Sequence, residues 1–256
     1  MKGSTSGPGG SSQSLKRTAT TSIPTSRSTG KKARLDAACA ERGSDSKSKV
    51  DSTTLDASIG VATLKQLKRS LRALIVGLQA VEAERVVLDR VWYKNASQFK
   101  SALWWRHANS LRRSLRSLDT APALTARIAL LYAELCGAGE PGSNQGWPVL
   151  PREAKPTSQS IETVLRTSQT KQRLREAEEE LEELRGVIDV VRKRAEKGGK
   201  VLMVHLNTPP APTFAPLVAG LIAICAAVHH PTAALVGEES ALDELKNILG
   251  LLRTSV

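Results

Sequence analysis

The sequence is poor in aromatic side chains and in residues that carry common catalytic or metal-binding chemistry. It has four Trp, two Tyr and two Phe among 256 residues, so a core must be built mainly from Leu, Ala, Val and Ile. Its three Cys are widely separated and form no C-x-x-C pair, and its four His show no zinc-ligand spacing with them. We therefore expect an intracellular, reduced protein with no structural metal and no cofactor.

The common catalytic motifs are also missing. The sequence contains no G-x-G-x-x-G, no phosphate-binding loop lysine motif, no H-E-x-x-H and no G-x-S-x-G. The carboxylates are concentrated around residues 176–184, where Arg and Lys at helical spacing would keep them paired and solvated. We predict a protein that is not an enzyme and has no small-molecule substrate.

Positive charge is abundant and unevenly distributed. The net charge is +12, and residues 1–50 carry ten Lys or Arg against three acidic residues. This excess favours a polyanionic partner. Residues 1–60 are rich in Ser, Thr, Gly, Lys and Arg and contain no aromatic residue, which predicts a disordered basic tail. Residues 1–30 lack the apolar run of a secretory signal.

Two basic clusters in this tail have the spacing of a bipartite nuclear-import signal. The alternative is a generic basic tail in which the clusters occur by chance. The nuclear interpretation predicts an import signal at Lys16, Arg17, Lys31, Lys32 and Arg34.

Residues 61–256 are predicted to form one all-α domain, a bundle of about four to five helices. Leucines and a valine from Leu64 to Val81 follow a 3,4 spacing, and residues 174–191 repeat it. Further helices are expected over 98–118, 121–135 and 239–252. Residues 138–159 are predicted to be a loop, and Gly198-Gly199 to end the long charged helix. No stretch shows sustained alternation of the kind strands require.

The most apolar run, residues 214–228, is shorter than a bilayer requires. Its helix would extend about 22 Å, against roughly 30 Å of hydrocarbon core. His229, His230 and Pro231 are expected to end it. We therefore predict a buried bundle helix and no membrane partner.

Residues 91–118 combine five of the eight aromatic residues with six Lys or Arg and no acidic residue. Basic side chains neutralise phosphates and aromatic faces stack on unpaired bases, so the segment predicts RNA binding. A polar turn at residues 94–97 should separate two antiparallel helices, with Asn95 or Ser97 capping the second. The predicted RNA contacts are Lys94, Asn95, Gln98, Lys100, Trp105, Arg106, Arg112, Arg113 and Arg116, and the predicted core contacts are Leu88, Trp104 and Leu111.

The same segment resembles the signature of the small helical protein subunit family of RNase MRP, which includes the nucleolus and neural progenitor protein. The match consists of a leucine-rich helix, Tyr93-Lys94-Asn95, Gln98-Phe99-Lys100, the pair Trp104-Trp105 and a basic helix. Ala96, Ser97 and Phe99 depart from the Lys, Asn and His usual in that turn. A second, weaker match is the apolar run from Phe214 to Val228.

The resemblance implies a non-catalytic RNA-binding subunit of the ribonucleoprotein RNase MRP that supports precursor ribosomal RNA processing. Its partners would be the structured RNA of RNase MRP and other protein subunits of the RNase MRP and P enzymes, in the nucleolus of the nucleus. Two alternatives stay open. One is a nuclear coiled-coil scaffold that uses the heptads of residues 64–81 and 174–191. The other is a helical DNA-binding module.

Overall fold

The structure, a computed structural model, describes residues 52–151, 158–207, 214–238 and 240–254, which belong to one compact unit, 50–256. Its elements in chain order are α1 (Ser52–Phe99), α2 (Leu103–Arg116), α3 (Ala121–Leu135), β1 (Gly142–Asn144), β2 (Trp147–Val149), α4 (Ser158–Leu165), α5 (Ser168–Leu206), α6 (Ala215–Val236) and α7 (Ala241–Thr254). The predicted all-α helical bundle is confirmed. The predicted import signal lies outside the described residues, and α1 begins before the predicted boundary at residue 61.

The two long helices supply most of the core. Leu64, Leu67, Leu71, Leu74, Leu78 and Val81 are buried on α1, and Leu174, Ala177, Leu181, Leu184, Ile188 and Val191 are buried on α5. Both sets follow the spacing that places residues on one helix face. Because these side chains pack inside the chain, neither leucine stripe is available for the partner helix that the scaffold alternative assigned to them.

Helix α5 passes through Gly198 and Gly199, so the prediction that these glycines end the helix is wrong. A Cβ added to Gly198 would meet Cys225 Sγ at 3.5 Å, and one added to Gly199 would meet Cys225 Cβ at 3.6 Å. The two glycines therefore permit α6 to approach α5 closely. Burial at this contact raises the pKa of the Cys225 thiol to about 11.

Helix α6 is longer than predicted and is buried on one face. It continues through His229, His230 and Pro231 to Val236. Val218, Leu221, Ile224, Cys225 and Val228 pack against the bundle, while Gly220 and Ala223 on the opposite face are exposed. By length and composition alone, the apolar region that begins with α6 contains one helix that could cross a membrane, and 33% of its most apolar window is buried.

The predicted loop at 138–159 contains a small β-hairpin. Strands β1 and β2 pair antiparallel, with Asn144 opposite Trp147. Gln145 and Gly146 both have positive φ, the geometry of a tight two-residue turn. Trp147 is buried against the core, so this segment closes one side of the bundle.

Candidate nucleic-acid interface

The aromatic residues of the 91–118 segment form a packed cluster at the junction of α1 and α2. Trp92 and Trp105 stack with their ring centroids 4.6 Å apart, and Phe99 lies 5.8 Å from Trp105. Trp104 meets Trp105 edge to face at 5.6 Å. Phe99 in turn meets Phe214, next to α6, at 4.9 Å. Such aromatic contacts stabilise the junction beyond the area they bury.

This cluster corrects the prediction that Trp105 contacts RNA. Trp105 is only 2% exposed, so its ring faces are covered by protein and cannot stack on a base. Trp104, predicted as core, is partly buried at the edge of the cluster. Ala108, Leu111 and Leu115, which share the predicted core face with Trp104, are buried, so the departure is confined to the first turn of α2. The other predicted core residues, Leu88 and Leu111, are buried.

The predicted polar turn is also misplaced. Helix α1 continues through Asn95 to Phe99, and the chain turns at Lys100–Ala102 instead. Asn95 donates a hydrogen bond from Nδ2 to the carbonyl oxygen of Val91 at 2.8 Å and does not cap the next helix. Packing of Phe99 in the aromatic cluster keeps this polar stretch helical.

Two of the predicted arginines are held by a carboxylate. Asp89 on α1 accepts a hydrogen bond from Nε of Arg112 and lies 3.7 Å from Arg116 Nη2. The Arg112 guanidinium also lies over the ring of Trp92, 5.3 Å from its centroid. Arg112 is thus committed to joining α2 to α1. Arg116 is more exposed and keeps part of its charge available at the surface.

The remaining predicted contacts are accessible. Lys94, Gln98, Lys100, Arg106 and Arg113 are all exposed. None of the four cations among them forms an ion pair with a carboxylate within the part of the chain that the structure describes. They lie along the outer sides of α1 and α2 around the aromatic cluster.

Helix α5 runs beside α2 and adds cations that the sequence interpretation missed. Arg194 Nη1 donates a hydrogen bond to the carbonyl oxygen of Ser110 at 3.4 Å. A Cβ at Gly198 would lie 4.0 Å from the Cβ of His107. Residue numbers therefore rise along α2 as they fall along α5. The signal in the sequence was the basic run 192–200, which follows the acid run on the same helix.

Helical spacing places two exposed arginines on the same side of α2 as Ser110. Arg106 and Arg113 lie four residues before and three residues after Ser110, and Lys197 lies three residues after Arg194. We call the four exposed cations of this region the basic seam: Arg106, Arg113, Arg194 and Lys197. No described carboxylate forms an ion pair with any of them.

Neighbouring carboxylates are engaged by other cations. Asp189 binds Lys193 and Arg192, whose hydrogen bonds lower the pKa of its carboxyl group. Glu196 binds Lys200, and this hydrogen bond lowers the pKa of Glu196. Because these two carboxylates are paired with other cations, they do not neutralise the four cations of the basic seam.

One exposed aromatic residue was missed as a candidate. Tyr93 is 89% exposed, four residues after Asp89 on α1, and faces outward beside Lys94 and Arg90. Its position one residue after Trp92 places it off the buried stripe, and only the helical phase shows which of the two rings is accessible. A ring with both faces open can stack on an unpaired base.

The acid run of α5 is engaged in holding the bundle together. Glu178 binds Arg253 at 2.8 Å and Glu182 binds Lys246 at 2.7 Å, both on α7, while Glu180 binds Arg127 of α3. These pairs lie at the opposite end of α5 from the basic seam. No group of His, Cys, Asp or Glu that could hold a metal ion occurs among the described residues.

Comparisons of the chain with protein-family models, curated proteins and solved structures give no match.

Proposed function

We propose that this protein is a non-catalytic RNA-binding protein, and that the basic seam and the exposed ring of Tyr93 contact the RNA. The observation that carries the proposal is the pairing of α2 with the basic end of α5. It brings α2, whose outer face carries the exposed Arg106 and Arg113, against the half of α5 that carries the exposed Arg194 and Lys197. No described carboxylate is paired with any of these four cations.

The arrangement suits a phosphate backbone. Arg106 and Arg113 are about 10 Å apart along α2, because a helix rises about 1.5 Å per residue. Cations spaced over such a distance can contact successive phosphates and release their counterions. Tyr93, Gln98 and Lys100 lie near the α1–α2 junction, where an aromatic face and an amide favour unpaired bases over a uniform duplex.

We further propose RNase MRP as the ribonucleoprotein, with the protein supporting precursor ribosomal RNA processing in the nucleolus. This assignment rests on the sequence resemblance, which covers about residues 65–130 and, more weakly, 212–235. In it the protein would bind the structured RNA of the enzyme and neighbouring RNase MRP and P subunits, and the RNA would perform the hydrolysis. Trp105 is buried, so the accessible part of that signature consists of Tyr93, Lys94, Gln98, Lys100, Arg106 and Arg113.

Charge reversal at the seam tests RNA binding directly. The variant Arg106→Glu/Arg113→Glu is compared with Lys65→Glu/Arg69→Glu, which reverses two exposed cations elsewhere on α1 and changes the net charge equally. The probes are a transcript of the RNase MRP RNA, an unrelated structured RNA of equal length and a DNA duplex. We expect the seam variant to lose at least about tenfold in affinity, and the control to stay near the parent protein.

The outcomes separate the alternatives. Equal losses of RNA affinity in both variants would mean that binding depends only on net charge, and this would contradict a specific contact at the basic seam. Preference for the duplex would favour the DNA-binding module. Sequencing the RNA that stays with the tagged chain at moderate salt tests the narrower assignment, which fails if the RNase MRP RNA is not enriched.

A further inference from the structure

A groove between α1 and α6 is exposed and almost uncharged. Its α1 side carries Val87, which is 42% exposed, and beyond it the exposed Ala80 and Val76, which is 65% exposed, continue the same stripe of α1. Its α6 side carries Pro216, Gly220, Ala223 and Ala227. Glu84 lies between the two helices and lines the groove together with Val87 and Val91.

The residues on each side follow a helical stripe that faces away from the core. On α1, residues 76, 80, 84, 87 and 91 are spaced by three or four, and on α6 the same holds for 216, 220, 223 and 227. Helix α6 contains no Asp, Glu, Lys or Arg along its whole length, although part of its surface faces outward. An exposed helix face normally carries charged residues, so this one is typical of a surface that another element covers.

Glu84 is the only charged residue that lines the groove. It is partly buried and forms no ion pair in the described parts of the chain. It also lies near the middle of the stripe from residue 76 to residue 91. Covering the groove with a purely apolar surface would desolvate this carboxylate without compensation, which is costly.

We propose that this groove docks one amphipathic helix of a different protein, which carries an apolar stripe and a Lys or Arg that pairs with Glu84. The stripe on α1 spans about 22 Å, the length of a helix of about four turns. Small residues on α6 permit close approach of the docked helix. The pattern is that of a helix laid into a hydrophobic groove.

The position of Glu84 disfavours a second copy of this chain and a bilayer. A two-fold dimer formed through the middle of the α1 stripe from residue 76 to residue 91 would place the two Glu84 carboxylates near each other, and their like charges would repel. A carboxylate in the middle of an apolar face is likewise costly in hydrocarbon. A Lys or Arg on a helix of a different protein would pair with Glu84, so neither the repulsion between carboxylates nor the burial of an unpaired carboxylate arises. The inference does not depend on the RNA-binding proposal, because the groove and the basic seam share no residue.

The test is site-specific photo-crosslinking of the full chain in cells. The photoreactive amino acid p-benzoylphenylalanine is placed at the exposed Ala80, on the α1 stripe one turn before Glu84, or at Gln79 as the matched control, which is exposed one position round α1. After irradiation, the samples are digested with nuclease and the crosslinked peptides are identified by mass spectrometry. We expect Ala80, and not Gln79, to yield one segment of another protein with apolar residues spaced by three and four and a Lys or Arg among them.

Charge reversal then links the crosslink to Glu84. Glu84→Lys should lower the crosslink yield roughly tenfold or more, because it places like charges together. Glu84→Gln should lower it less, because it removes the attraction to a cation without adding a repulsion. Thermal melts verify that each variant is folded.

Several outcomes would overturn the proposal. They are crosslinks from Ala80 to a second copy of this chain, to lipid, or to no more than the Gln79 control yields, and a yield unaffected by Glu84→Lys in a folded protein. Repeating the crosslinking with the Arg106→Glu/Arg113→Glu variant distinguishes helix docking in the groove from RNA binding at the basic seam. Persistence of the crosslink after loss of RNA binding supports direct docking, while its disappearance would assign the contact to the RNA and contradict the groove.

Discussion

Arg112 and Arg113 are adjacent in the sequence and have different environments. Arg112 binds Asp89 and covers the ring of Trp92, so it ties α2 to α1. Arg113 points away from this contact and belongs to the basic seam. Chemically identical side chains thus have a structural role at one position and an available charge at the next, because successive residues of a helix face directions about 100° apart.

This difference gives a prediction for two single variants. Arg112→Ala should lower the free energy of unfolding by about 1–2 kcal/mol, since it removes a partly buried ion pair and a cation–π contact. Arg113→Ala should change stability by less than about 0.5 kcal/mol while weakening RNA binding. Urea denaturation and RNA titration of both variants measure the two effects. Equal destabilisation by both would contradict the assigned roles.

Trp105 and Tyr93 form a second contrasting pair. Trp105→Ala should destabilise the protein by about 3–5 kcal/mol, because it opens a cavity in the aromatic cluster. Tyr93→Ala should leave stability nearly unchanged and cost about 1–3 kcal/mol of RNA affinity if the exposed ring stacks on a base. Tyr93→Phe is the control that keeps the ring. A Tyr93→Ala protein with full RNA affinity would remove this residue from the interface.

At the scale of helices, the sequence predicted positions of elements better than their ends. The leucine spacing on α1 and α5 located their buried faces, because period and burial are both local properties of a helix. The missed ends depended on partners distant in the sequence. Phe99 stays helical through contact with Trp105 and Phe214, and Gly198 stays helical against Cys225 and His107.

The candidate site was predictable to the same extent. The exposed cations of α2 followed from the acid-free composition of residues 91–118. The contribution of α5 did not, because Arg194 and Lys197 join Arg106 and Arg113 only through packing of two distant segments. The choice between Trp104 and Trp105 for the core did not follow either, because it depends on Trp92 and Phe99, which pack on Trp105 from α1.

Glycines in the helices test how closely the helices pack. Gly186→Ala should raise the free energy of unfolding by about 0.5–1 kcal/mol, since an added Cβ meets nothing within 4 Å and alanine favours a helix. Gly77→Ala should gain less or lose stability, because its Cβ would lie 3.0 Å from the Leu235 side chain. Gly198→Leu should be strongly destabilising, as it must displace Cys225 and His107. Denaturant midpoints measure the series, and an equal gain for Gly77→Ala and Gly186→Ala would contradict the close α1–α6 contact.

For the whole molecule, charge is distributed so that different faces serve different contacts. The acidic half of α5 is paired with α3 and α7 and stabilises the bundle, while its basic half lies against α2. The α1–α6 groove is almost uncharged and separate from both. The proposed RNA surface and the proposed helix-docking groove are therefore separate, so binding at one does not require the other.

The separation of these faces predicts additive behaviour. Arg106→Ala/Arg113→Ala should reduce the slope of log affinity against log salt by about 1.4 for single-stranded RNA, since each lost phosphate contact contributes about 0.7. Ala80→Glu should leave both the affinity and that slope unchanged, and the combined variant should equal the seam variant, because sites without shared partners act independently. Salt titrations of the four proteins supply the measurement. A groove variant that alters the RNA salt slope would mean that RNA reaches the α1–α6 face, and the division of the surface into an RNA face and a protein face would then be wrong.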